Sequence, residues 1–68
     1  MSVIKWVNKW SGETGYVKSI KPKQGHFVNT FEQTEAKKYK DEAVLNRALD
    51  VLIAIGEGDN NYFEVVEA

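Results

Sequence analysis

One stretch limits the fold of this chain more than any other. Between Asp41 and Ile55 the apolar residues recur with helical period, and nowhere else in the 68 residues do they do so. At about 100° per residue, Val44, Leu45, Ala48, Leu49, Val51, Leu52 and Ile55 share one arc. Ala43, Asn46, Arg47, Asp50 and Ala54 occupy the opposite side, and Ile53 lies at the border. Asp41 is placed to accept from the first-turn amides, Glu42 suits the positive end of the helix dipole, and Gly56 can adopt the left-handed conformation that ends a helix. A chain with one amphipathic helix needs a second layer to bury the apolar arc, and that layer must come from the remaining segments.

Those segments read as strands. In "VIKWVNKW", Val3 to Trp10, the side chains alternate: Ile4, Trp6 and Trp10 on one face, Val3, Lys5, Val7 and Lys9 on the other. "YVKSI" (Tyr16–Ile20), "HFVNTF" (His26–Phe31) and "YFEVVE" (Tyr62–Glu67) are β-branched or aromatic, with Phe63 and Val65 on one face of the last. "KPKQG" and "GDNN" are turns, and a single helical turn is expected around Glu35–Lys38 with Ala36 and Tyr39 turned inward. The predicted architecture is a two-layer α+β domain spanning 1–68, of order β-β-β-α-β, with a mainly antiparallel four-stranded sheet and the last strand beside either edge. One helix covers one sheet face, so the other face is expected to be solvated or used.

Size and composition narrow the function. A chain of 68 residues buries only about 60% of its unfolded surface, and the absence of cysteine removes disulfides and thiolate metal sites. With no signal-like h-region and no apolar run of about 18 residues, a cytoplasmic protein without membrane association is expected. Charge is unevenly divided. Residues 1–40 hold eight lysines against three acids, a net of +5, whereas residues 41–68 hold one arginine against seven acids, a net of −6. Such asymmetry points to a charged partner or to self-association.

"SGETG", Ser11–Gly15, has the glycines of a phosphate loop but not its context. A phosphate cradle opens a helix, and here a strand follows; the P-loop spacing is also missing. The Gly-x-x-Gly clamp of KH domains joins two helices, which these segments are not. The loop is read as a five-residue hairpin turn with its glycines at positive φ. His26 is the only histidine and has no co-ligands, and Asp59–Glu64 lacks the order of a calcium loop. No serine is spaced for a triad and no carboxylates pair in a cleft, so neither catalytic residues nor a cofactor or metal site is predicted, and a non-enzymatic role is expected.

What remains is a basic, aromatic N-terminal sheet. Lys5, Trp6, Lys9, Trp10, Tyr16, Lys18, Lys21 and Lys23 form the candidate binding face. Aromatic and cationic side chains on an open sheet are favoured anchors for a protein partner. They also suit single-stranded nucleic acid, where rings stack on bases and lysines follow phosphates. The free face would equally serve a homodimer.

The pattern "TGYVKSI…HFVNTFEQTEAKKYKDEAVLNRAL…YFEVVE" resembles short uncharacterised proteins of phages and prophages in Gram-positive bacteria. These similarly run a Gly-Tyr-Val hairpin, an Ala-Lys-x-Tyr element, an Ala-rich helix and a valine-rich final strand. Gly15, Tyr16, Val17, Ala36, Tyr39 and Ala43 carry the likeness as folding positions. It implies an accessory protein that binds a host protein, and it brings no catalytic residues.

Overall fold

The computed structural model describes residues 1–68 as one antiparallel sheet of four strands and one α-helix. The strands are β1 (Ser2–Asn8), β2 (Thr14–Lys21), β3 (His26–Thr30) and β4 (Asn61–Glu67), and the helix is α1 (Glu42–Ala54). Their spatial order is β3-β2-β1-β4, so the last strand lies against β1, and every pairing is antiparallel. This is the expected β-β-β-α-β chain, with the place of β4 now fixed.

The helix has the predicted ends. The Asp41 side chain accepts from the Ala43 amide at 2.8 Å, and Gly56 takes φ 89°, the left-handed conformation that releases the chain toward β4. Leu45 and Leu52 are buried against Ile4, Trp6 and Val17 of the sheet, with Ala48, Leu49 and Ile55 packed beside them. Val44, assigned to the apolar arc, is instead exposed.

The sheet is strongly rolled. Phe27 of β3 and Phe63 of β4 come from opposite edges, yet their rings meet at 5.8 Å on the helix side. A bulge between Val17 and Ser19 supplies part of the bend, because an extra residue on one strand increases local twist.

β1 and β2 pair only from Lys5–Tyr16 to Val7–Thr14 and then part. The segment after β3 bridges the gap. The Lys37 amide donates to the Val17 carbonyl, while Tyr39 and Ser2 exchange both backbone bonds, at 2.8 and 2.9 Å. Its turn is a 3₁₀ turn at Gln33–Glu35, earlier than the predicted Glu35–Lys38, and Ala36 is extended. Ala36 and Tyr39 are nevertheless buried, as expected, because they are held between the two strands. The same segment shortens the free face. Val3 points away from the helix but is 0% exposed, and Gln33 reaches over to donate to the Glu67 carbonyl. The face opposite the helix is therefore open only toward the Asn8 end of β1.

Gly15 differs from its expected role. Gly12 has φ 74°, as a turn glycine should, but Gly15 is an extended β2 residue paired with Trp6. A Cβ on Gly15 would stand 2.7 Å from the Trp6 ring and 2.9 Å from the Thr30 carbonyl oxygen. The glycine is there to make room for the indole.

Candidate protein-contact surface

The open part of the sheet is built by strand alternation. In the β1–β4 register Val7 faces Tyr62 and Lys5 faces Glu64, and in the β1–β2 register Lys5 faces Tyr16 and Val7 faces Thr14. Paired residues in an antiparallel ladder point to the same side, so Lys5, Val7, Tyr16, Tyr62 and Glu64 form one patch away from α1. Lys9 extends it. Its amide donates to the Asn60 carbonyl, continuing the β1–β4 ladder, and its ammonium sits 4.9 Å from the centre of the Tyr62 ring. A cation–π contact at so exposed a place is worth about 0.5–1 kcal/mol.

Trp10 stands at the edge of this patch, at the tip of the β1–β2 hairpin. The Asn8 carboxamide oxygen accepts from the amides of Trp10 and Ser11, both at 2.9 Å, and the Asn8 carbonyl accepts from Gly12 at 3.0 Å. Thr14 donates its hydroxyl to the Trp6 carbonyl at 2.8 Å, closing the hairpin below the loop. A short polar side chain bonded to its own downstream amides fixes the turn and ends the strand alternation there. Trp10 is consequently not on the Ile4–Trp6 face. It is 79% exposed, the most exposed large hydrophobic of the chain, and Tyr62 is 61% exposed.

The eight predicted site residues thus fall in different places. Lys5, Lys9 and Tyr16 share the open patch, and Trp10 follows Lys9 in the hairpin tip. Trp6 does not belong to it: the residue is 5% exposed under the helix, edge-on to Phe27 at 6.4 Å and tilted against Phe31 at 6.1 Å. Lys18 is at the β2 bulge, 3.9 Å from Glu35, in an exposed ion pair of little energetic weight. Lys21 and Lys23 lie at the far end of β2, in the turn to β3, opposite the hairpin tip. Three members of the patch lie outside the predicted face: Val7 of β1, and Tyr62 and Glu64 of β4. The alternation of "YFEVVE" separates Tyr62 and Glu64 from Phe63 and Val65, but only the pairing of β4 with β1 sets them beside Lys5 and Lys9.

No group of three or more histidine, cysteine or acidic side chains is gathered in metal-binding proximity, and no helix is long and apolar enough to cross a membrane. No family model, curated protein or solved structure matches this chain.

Proposed function

We propose that the protein is a small, non-enzymatic accessory protein of phage or prophage type that acts by contact with another protein through the Trp10–Tyr62 end of its sheet. The carrying observation is the exposure of Trp10 on a hairpin tip held by Asn8. An indole presented on a rigid turn loses little conformational freedom on docking, and tryptophan and tyrosine are the side chains that most often dominate binding energy. Lys5 and Lys9 beside the aromatics favour a partner that offers an apolar pocket rimmed by carboxylates. The likeness to short phage proteins supports the host-directed role.

The test is capture from a Gram-positive bacterial lysate treated with nuclease, comparing the native chain with a Trp10→Ser/Tyr62→Ser variant. A protein retained by the native chain and lost by the variant is the expected result; equal retention by both, or none by either, removes the reading.

A second reading is single-strand nucleic-acid binding, favoured by the placement of Tyr16 with Lys5 and Lys9 on one open face. Affinity for an oligonucleotide would then fall steeply as salt rises. The patch contains Glu64 opposite Lys5, and Trp6 is withdrawn as a stacking platform, which is why protein contact is preferred.

A further inference from the structure

Rolling of the sheet produces a second feature, on the helix side and remote from the patch in chemistry. Where β3 and β4 approach each other, Trp6, Asn8, Phe27, Asn29, Glu57 and Asn61 line a concavity of about 240 Å³. Its residues come from β1, β3, β4 and the turn after α1, so it is an open groove between the two edge strands of the sheet. The volume is below the roughly 300–1,000 Å³ of sites for drug-sized ligands, which limits an occupant to about one sugar ring.

The polar groups in this wall are incompletely used. Trp6 is 5% exposed, and its indole N–H is sealed from solvent and meets no acceptor in the protein. A buried donor left unpaired is destabilising. Asn61 is 8% exposed and donates to the Glu57 carbonyl at 3.4 Å, with no protein donor to its own carboxamide oxygen. The Asn8 oxygen is occupied by the turn, which leaves its amide nitrogen as a donor. Asn29 makes no side-chain hydrogen bond.

This inventory selects a ligand class. The wall contains one carboxylate and no cation, so an anion such as phosphate would face Glu57 without counter-charge. An ammonium has only donors and would leave the free amide N–H groups of Asn8 and Asn29 unmatched. An apolar molecule would strip water from three carboxamides and return nothing. A hydroxyl group both donates and accepts, which suits a wall of mixed donors and acceptors. The geometry points to a binding site for a neutral, hydroxyl-rich molecule of monosaccharide size, held by Asn8, Asn29, Asn61 and Glu57 beside the edges of Trp6 and Phe27.

The two tryptophans allow a direct test. In a ¹⁵N-labelled chain they give two indole N–H resonances, with exposed Trp10 as the internal control. Titration with methyl glucoside and methyl galactoside, each to about 100 mM, is expected to move the Trp6 indole and the Asn29 and Asn61 side-chain resonances saturably, as suits an affinity in the millimolar range. Trp10 and a parallel titration with inorganic phosphate should show no such movement. Asn29→Leu, at an exposed edge-strand position that leaves the fold intact, should weaken binding about tenfold through the loss of its hydrogen bonds. The proposal is overturned if neither glycoside moves Trp6, if Trp10 moves in parallel with it, if phosphate acts equally, or if Asn29→Leu binds as the native chain does.

Discussion

Trp6 and Trp10 are four residues apart on one hairpin, and a simple count by twos puts both on the same face. One ends 5% exposed beneath a helix and the other 79% exposed at a tip. The residue between them that decides this is Asn8, whose side chain captures two downstream amides and stops the strand. Trp6 stays in the ladder, where Gly15 on β2 clears a place for its ring. Identical side chains are thus sorted into core and surface by local polar chemistry, not by hydrophobicity.

The largest expected effect falls on the buried member. Trp6→Ala should cost about 3–5 kcal/mol. Because total stability for a chain of this length is about 3–10 kcal/mol, urea denaturation should find this variant at or near unfolded. Gly15→Ala attacks the same contact from the other side and should cost about 1–3 kcal/mol by overpacking, since one of the obstructing atoms is backbone and cannot swing away. Asp41→Ala leaves both tryptophans untouched and removes the helix cap, for a loss of about 1 kcal/mol in the same assay.

Trp10 supplies the contrast. Trp10→Ala should change stability by no more than about 0.5 kcal/mol while abolishing partner capture. Its fluorescence should also separate cleanly: a Trp10→Phe variant retains only blue-shifted emission protected from acrylamide, whereas emission that stays red and quenchable would contradict the buried position of Trp6. The smallest effect at neutral pH belongs to Tyr39, whose burial raises its phenol above the ordinary value of 10.0. The native state then holds that proton more tightly than the unfolded chain does, so the contribution is complete below the unfolded value and is lost as pH rises through the folded one. Tyr39→Phe should flatten that alkaline loss in a pH series of denaturation curves.

Much of this fold is legible in the residues. The helix between Asp41 and Gly56 and the β-β-β-α-β succession along the chain follow from periodicity and caps, which are local signals. What is not legible depends on contacts between distant segments. The parting of β1 from β2, the entry of Lys37–Tyr39 into that gap and the reach of Gln33 to the Glu67 carbonyl have no local signature, since each depends on groups finding partners across the sheet. The binding face shows the same division. Lys5, Lys9 and Tyr16 fall together because alternation places them, whereas Tyr62 and Glu64 join only through the pairing of β4 with β1. Lys21 and Lys23 share the basic character of the N-terminal sheet, but the length of β2 carries them to the opposite end.

The position of β4 also bears on how the molecule is assembled in time. β1 has one neighbour a few residues away and another whose partners, from Ser2–Glu67 to Asn8–Asn61, lie near the other end of the chain. Pairings this remote in sequence raise contact order, and closing so long a loop must be achieved before its contacts repay the entropy. The β1–β2 hairpin can form early, but one hydrogen-bonding edge of β1 stays unpaired until β4 arrives. During synthesis, β4 leaves the ribosome after the strands it must join, and a chain stalled before Asn61 would present β1 as an open edge to its neighbours.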